Sequence, residues 1–312
     1  MPARNIEQIQ STILPTLQLA LFPYFIPIAG RSIHLHTFFE SLGYAVAFAI
    51  FLILRSRSND SLSYPLRWAT LAAAFVGGTL GSKLLYWLED PQLTLQHLHD
   101  PAYLLGGKTI VGALLGGLFA VEAMKRYIGL HQSTGDLFAI PVAVGLAIGR
   151  IGCFLTGLSD NTYGTPTSLP WGVDFGDGID RHPTQLYEIV FLLALIALLA
   201  RIRMTSTLAR PIGPDEPESA RTGGHDFSRA ESPSKLIAAS AAGGSRIIVR
   251  PGDAFKLFMT SYLAFRLFCD FIKPYPSIGL GLGAIQWACV LGLLYYSRDL
   301  LRWARLLPDG VS

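Results

Sequence analysis

The chain has 312 residues, of which 51% are hydrophobic and only 15% are charged, and its mean hydropathy is +0.40. Soluble domains contain about 25% charged residues, so this composition argues against soluble domains and indicates a polytopic protein of the lipid bilayer. The net charge of +3 is too small to indicate a nucleic-acid partner. The three cysteines lie in apolar runs without metal-ligand spacing, so we expect no disulfide framework, no metal and no cofactor.

The first apolar segment, 12–29, is interrupted by Pro15, Pro23 and Pro27 and lacks a basic start, which favours an interfacial or re-entrant piece over a signal peptide. Seven later runs approach the length of about 20 residues that a helix needs to cross a bilayer. They predict an all-α protein with seven transmembrane helices. The predicted spans are 37–54, 66–88, 109–124, 136–156, 184–202, 254–272 and 279–297.

The basic residues predict the orientation of the spans. Seventeen of them lie in the first, third and fifth loops and the C-terminal tail, against five before the first span and in the other loops. The positive-inside rule therefore predicts an N-terminus outside and a C-terminus in the cytoplasm. The fifth loop, 204–250, is rich in Pro, Gly, Ser and Ala, which predicts a disordered cytoplasmic insertion. This insertion divides the membrane domain into two parts. The first part is 1–203, and the second is 251–312, which ends in the basic tail.

Charged residues inside the predicted spans are the candidates for a functional site, because charge is costly in lipid. At a rise of about 1.5 Å per residue, six of the seven fall in the outer half of the membrane. Glu122 is the exception, and we interpret it as a solvated helix end. Structural ion pairs between helices are the alternative interpretation of the cluster. The six are Glu40, Lys83, Arg150, Glu188, Arg266 and Asp270.

The two arginines suggest the ligand class, since the planar guanidinium fork suits phosphate. We therefore expect Arg150 and Arg266 to bind a phospholipid headgroup, with Asp270 orienting Arg266 from one helical turn away. Lys108 precedes Thr109 at the outer start of the third span, where it forms either an anion-binding helix N-terminus or an interfacial contact. Lys83 belongs to the site or extends to the membrane surface.

The outer loop, 157–182, contributes further candidates. His182 is either a general base, given its ordinary pKa near 6.5, or a cap before the helix that starts after Pro183. Glu188 either orients His182 or pairs with an arginine. Glycines of the second and third spans indicate close helix packing rather than catalysis; they are Gly77, Gly78, Gly81, Gly112, Gly116 and Gly117.

Three motifs in this order on seven spans resemble the prolipoprotein diacylglyceryl transferase family. They are Gly149-Arg150-Ile151-Gly152, Pro170-Trp171-Gly172 and His182-Pro183-Thr184-Gln185-Leu186-Tyr187-Glu188. The resemblance covers 33–300 except the insertion. It implies transfer of a diacylglyceryl group from phosphatidylglycerol to the cysteine thiol in the signal peptide of a lipoprotein precursor. It also implies a site at the outer face of the bacterial cytoplasmic (inner) membrane, with Arg150 and Arg266 as the family's arginines.

The chain departs from the family pattern at several site positions. Val111 stands at the usual histidine, Cys153 at an asparagine, Phe39 at a tyrosine and Asp270 at a glutamate. The resemblance thus implies that the phosphate-binding half is retained while the acid/base half is altered. His182, Lys108 or Glu188 then replaces the usual base. The alternatives are the same fold acting on another lipid or acceptor, or a non-catalytic membrane protein such as a phospholipid-binding scaffold or a transporter.

Overall fold

The computed structural model describes residues 25–28, 31–58, 62–208, 250–274 and 276–305, and the protein there is mainly helical. The helices in chain order are α1 Leu35–Arg57, α2 Tyr64–Glu89, α3 Pro91–Gln96, α4 Pro101–Leu105, α5 Ile110–Tyr127, α6 Asp136–Thr156, α7 Thr184–Leu208, α8 Asp253–Cys269, α9 Ala284–Tyr295 and α10 Ser297–Ala304. Short 3-10 helices, Gly157–Asp160 and Asp270–Ile272, extend α6 and α8.

Every predicted span overlaps one of these helices over most of its length, so the mainly helical fold class is confirmed. Of the described helices, four are long and apolar enough to cross a bilayer: α1, α2, α6 with its 3-10 extension, and α7. The seventh prediction, 279–297, is too long, because α9 begins only at Ala284. Leu280 and Gly281 adopt left-handed backbone angles there and form a turn that excludes the helix.

Two small antiparallel hairpins correct the expectation of a purely helical protein. Strands β1 Phe25–Ile28 and β2 Arg31–His34 pair directly before α1, and β3 Val173–Asp174 pairs with β4 Asp180–Arg181 in the predicted outer loop. The rest of the segment 12–29 lies outside the described residues, and so does the predicted insertion apart from the end of α7 and Arg250.

Helices α2 and α5 pack backbone against backbone through the predicted glycines. A Cβ atom added at Gly81 would clash with the carbonyl oxygen of Gly112, and one at Gly116 would lie 2.8 Å from the Cα atom of Gly81. The same device joins α1 to α6, where a Cβ at Gly43 would lie 2.7 Å from the carbonyl oxygen of Gly145. The interpretation of these glycines as packing residues is confirmed for α2 and α5. Without an apolar driving force in lipid, such close contact is a main source of helix association.

The buried core lies among α6, α7, α8 and α9. Alanines at 139, 143 and 147 form a small-residue stripe on α6. Fully buried Leu192 of α7 and Phe258 of α8 belong to the same cluster. This packing places the C-terminal end of α6, the start of α7 and the end of α8 together at one end of the bundle, which we call the site end.

Polar contacts fix the opposite end. Asp136 at the start of α6 accepts hydrogen bonds from the backbone N–H groups of Gly252 and Phe255, which begin α8. Asp253 pairs with Arg302, and Lys256 lies 2.8 Å from Asp299. The chain that follows residue 250 is therefore bound to the bundle by its first helical turn.

We expect Gly116→Ala to lower the stability of the bundle by about 1–3 kcal/mol, because the new methyl group forces α2 and α5 apart. Thermal unfolding in detergent micelles measures the change. The control is Gly149→Ala, where the structure has open space around the added Cβ atom. There the better helix propensity of alanine should leave stability equal or slightly higher. Equal loss in both variants would contradict the packing role of Gly116.

Candidate active site

One buried carboxylate lies between the two arginines that the sequence singled out. Glu188 Oε2 is 2.9 Å from Arg150 Nε and 3.2 Å from Arg266 Nη1, and all three side chains are almost fully buried. The hydroxyl of Tyr262 donates a 2.7 Å hydrogen bond to the other oxygen, Oε1. A buried ion costs several kcal/mol to desolvate, so each of these charges depends on the others to remain buried.

The cluster continues along the end of α8. Arg266 Nη2 lies 2.8 Å from Asp270 Oδ1, and Lys273 Nζ lies 4.0 Å from the same oxygen. Among the five groups that these contacts join, three cations against two carboxylates leave a formal charge of +1, and the carboxyl group of Glu89 lines the same pocket as Asp270 and Lys273. Within the described part of the chain, Nε of Arg266 is buried without a hydrogen-bond partner. In the same described residues, both carboxylate oxygens of Asp270 are also buried without a hydrogen-bond partner, so the cluster contains polar atoms of both kinds that a ligand or water could satisfy.

Helical spacing explains how the sequence builds this cluster. Tyr262 and Arg266 are four residues apart on α8 and share one face, and Asp270 follows one turn later in the 3-10 extension. Glu188 lies in the second turn of α7, beside the last turns of α6 that contain Arg150. Three helices therefore each supply at least one charge to the same point.

A second polar group lies next to Arg150. The Nη1 group of Arg150 donates to Cys153 Sγ at 3.6 Å, and His36 Nδ1 of α1 lies 2.9 Å from Asp160 Oδ1. One ligand atom each from His36, Cys153 and Asp160 lie within 4.8 Å of one another. His36 Nε2 is 3.7 Å from Glu40, which also pairs with Lys108. A chain of charged and polar groups thus runs from Lys108 to the arginine cluster.

Comparison with known proteins identifies the family of this site. Residues 23–212 match the family model described as prolipoprotein diacylglyceryl transferase. A phosphatidylglycerol–prolipoprotein diacylglyceryl transferase of Nitrosomonas europaea is 30% identical over 310 residues, covering 92% of each chain. The chain belongs to the prolipoprotein diacylglyceryl transferase family. The same-named protein of Bordetella avium is 32% identical over 62% of this chain and 75% of its own. The resemblance drawn from the motifs is confirmed.

For a prolipoprotein diacylglyceryl transferase, the positions that depart from the family pattern lie at the site end. Val111 is almost fully buried in the first turn of α5 and belongs to the apolar core. Cys153 is buried between Arg150 and the pair His36–Asp160. The position of the usual histidine is therefore apolar here, whereas the position of the usual asparagine holds a thiol beside a histidine.

The structure separates His182 from the charges with which the sequence grouped it. Of the two roles predicted for Glu188, the structure shows pairing with the arginines. The contact of the His182 ring is instead with the hydroxyl of Tyr187, 3.1 Å from Nδ1, and Trp171 Nε1 donates to that hydroxyl at 2.8 Å. The backbone carbonyl of His182 accepts from the N–H group of Thr184, which forms a tight turn before α7, and the first helical carbonyl is that of Pro183, so the cap stays a prediction. The role of His182 as a base also stays a prediction.

The two lysines have partners away from the arginines. Lys83 Nζ donates to the backbone carbonyls of Leu105, Gly106 and Gly107, so it neutralises the C-terminal end of α4. Lys108 is half exposed and pairs with Glu40. Thr109 caps α5 by accepting from the N–H group of Gly112. A direct contact of Lys108 with phosphate stays a prediction.

Sequence reasoning missed Tyr262, Lys273 and the grouping of His36 with Cys153 and Asp160. The spacing of four between Tyr262 and Arg266 was a usable signal for the first. Lys273 lies outside the predicted span, and burial together with the charges of Arg266 and Arg150 lowers its pKa to about 8. His36, Cys153 and Asp160 lie on different elements, so no local spacing could have joined them.

An apolar groove of about 500 Å³ opens beside the charged cluster, between α7 and α8. Phe191 and Phe265 line it and stack with ring centroids 4.3 Å apart. Tyr187 and Cys269, the chain neighbours of Glu188 and Asp270, line its end. The groove therefore lies on the same two helices as the cluster, although none of the cluster's charged residues lines it.

We expect Glu188→Gln to destabilise the protein by about 3–5 kcal/mol, because it leaves two buried guanidinium groups without their shared carboxylate. Thermal unfolding in detergent micelles is the measurement. The control is Glu122→Gln, which removes a partly exposed carboxylate paired with Lys125 and should change stability by less than about 1 kcal/mol. A Glu188→Gln protein as stable as the control would show that the buried pairing contributes little.

Proposed function

We propose that the protein transfers a diacylglyceryl group from phosphatidylglycerol to the cysteine thiol of a lipoprotein precursor. The observation that supports it most is the buried cluster with a formal charge of +1 and an unsatisfied guanidinium donor. A phosphodiester headgroup has one negative charge, which this excess neutralises. The names of the relatives, phosphatidylglycerol–prolipoprotein diacylglyceryl transferases, support the same pair of substrates.

The chemistry assigns a task to each part of the cluster. The thiolate sulfur of the acceptor attacks the glyceryl carbon that bears the phosphate, forming a C–S bond as the C–O bond breaks. The electron pair of that bond leaves with the phosphate, whose charge rises from −1 to −2. Arg150 and Arg266 are positioned in advance to stabilise this added charge. Glu188 and Asp270 hold the two guanidinium groups in place, because each contacts a guanidinium nitrogen directly.

The apolar groove between α7 and α8 suits the acyl chains of the donor. The groove is lined by residues of α7 and α8, the helices that supply Glu188 and Arg266, so acyl chains along Phe191 and Phe265 are compatible with a headgroup at the arginines. The groove faces outward from the bundle, which in a bilayer is the direction from which lipid arrives. This arrangement favours a lipid donor over a water-soluble phosphate ester.

The proposed topology has seven spans, an N-terminus outside, a C-terminus in the cytoplasm and the site end at the outer face of the bacterial inner membrane. The segment 204–250 is then a cytoplasmic insertion. The distribution of basic residues supports this orientation, and the helix ends agree with it. Arg67, Lys125, Lys256 and Arg302 all lie at the end opposite the site. A site at the outer face of the membrane is also accessible to lipoprotein precursors once they have been exported.

We expect Arg150→Ala and Arg266→Ala each to lower transfer by about 100-fold or more, because each removes a preorganised donor at the developing charge. The assay follows labelled diacylglyceryl transfer from phosphatidylglycerol to a precursor peptide, with a serine-substituted peptide as the blank. The control is Arg181→Ala, which removes an arginine paired with Asp177 in the loop and should leave transfer near the wild-type rate.

A second function competes for the same cluster. The apolar Val111 at the usual histidine favours a protein that binds phosphatidylglycerol without transferring its diacylglyceryl group. Binding of phosphatidylglycerol that is lost in both arginine variants, together with no transfer by well-folded wild type, would establish this alternative. Rescue of a strain depleted of its own transferase by the wild type, but not by the arginine variants, would exclude it.

The buried Lys273 predicts how donor binding depends on pH. Its pKa is lowered to about 8, so the lysine is charged below that pH and neutral above it. The cluster then loses its positive excess, and KM for phosphatidylglycerol should rise above pH 8 by up to about tenfold per pH unit. In Lys273→Arg the rise should be absent over the same range, because arginine stays charged. An unchanged profile in that variant would remove Lys273 from headgroup binding.

A further inference from the structure

We propose that His36, Cys153 and Asp160 form a zinc site at which the acceptor cysteine binds as the fourth ligand. The observation is the group of three side chains whose imidazole nitrogen, thiol sulfur and carboxylate oxygen lie within 4.8 Å of one another. They come from α1, α6 and the 3-10 helix that follows α6. The inference rests on the transfer reaction proposed above, since it assigns the activation of that reaction's thiol.

The donor set fits zinc in type and geometry. Catalytic zinc sites use three protein ligands from His, Cys and Asp or Glu, and keep one position open. Two ligand atoms at about 2.0–2.1 Å from a tetrahedral zinc lie roughly 3.3 Å apart. His36 Nδ1 and Asp160 Oδ1 are 2.9 Å apart, so this pair must open by about 0.4 Å to hold the ion, while Cys153 Sγ lies within 4.8 Å of both atoms.

Each ligand also has the outer partner that metal ligands use. Glu40 lies 3.7 Å from His36 Nε2, the nitrogen on the far side of the ring from Asp160. Thr162 donates a 2.6 Å hydrogen bond to Asp160 Oδ2, which leaves Oδ1 for the metal. Arg150 donates to Cys153 Sγ. A carboxylate behind the histidine and a donor on the ligating carboxylate fix ligand orientation and tune metal affinity.

The zinc site provides a way to deprotonate the acceptor thiol, which this chain needs because Val111 stands at the position of the usual histidine. A thiol that coordinates zinc is deprotonated, so the metal produces the nucleophile without a histidine at Val111. The thiol proton goes to solvent when the acceptor binds. The zinc-bound sulfur then forms the C–S bond to the glyceryl carbon, and the C–O electron pair leaves with the phosphate at Arg150. Because Arg150 donates to Cys153, itself a proposed ligand, an acceptor sulfur on the same ion would lie close to the phosphate held by Arg150.

Metal binding is testable without any assay of transfer. The full-length protein in detergent, loaded with Zn²⁺ and desalted, should retain about one ion per chain by elemental analysis. Replacement with Co²⁺ should give the absorption band of a thiolate–cobalt bond. Cys153→Ser should abolish the band, and Thr162→Val should weaken binding by about 10–100-fold. The matched control is Cys289→Ala, which removes a buried thiol far from the group and should keep both signals.

A peptide experiment tests the fourth position. Adding a precursor peptide with its cysteine should change the Co²⁺ spectrum, and the serine-substituted peptide should not. A wild-type protein that retains no metal, or whose transfer rate is unaffected by a chelator that removes all bound ion, would overturn the zinc site while leaving the transferase function intact. Stoichiometric metal with no transfer would instead contradict the transferase function. A cobalt band that survives Cys153→Ser would also overturn the assignment.

Discussion

The structure of the site depends on one shared carboxylate. Glu188 neutralises two arginines from two other helices, and Tyr262 completes its hydrogen bonding. None of the three charges is stable in a buried position alone, so α6, α7 and α8 are held in one arrangement by mutual charge compensation. The close glycine packing of α2 against α5 and of α1 against α6 stabilises the bundle around this point.

The same compensation explains how the cluster can both hold helices together and bind a ligand. Among the residues joined by direct ion pairs, cations exceed carboxylates by one, and within the described ranges Nε of Arg266 has no hydrogen-bond acceptor. Structural ion pairs and a phosphate site were alternatives at the level of sequence. The structure shows the ion pairs, and the proposed phosphate site uses the same arginines, because the pairs fix the positions of their guanidinium groups.

The second polar group gives the departures from the family a common meaning. Val111 removes a polar side chain from the start of α5, and Cys153 adds a thiol where it meets His36 and Asp160. The start of α5 therefore has no polar side chain at position 111, and the thiol and imidazole groups lie instead where α1 meets α6. The two arginines of the family motif are retained in the buried cluster beside this second group.

The sequence alone determined the mainly helical membrane class, the arginines of the site and the family, because apolar run lengths, intramembrane charges and local motifs are short-range signals. It also placed Asp270 beside Arg266, since one helical turn fixes that contact. Only the tertiary structure decided that Glu188 pairs with the arginines rather than with His182, and that His36 meets Cys153 and Asp160. Those contacts join residues far apart in the chain, and their geometry is set by how the helices pack.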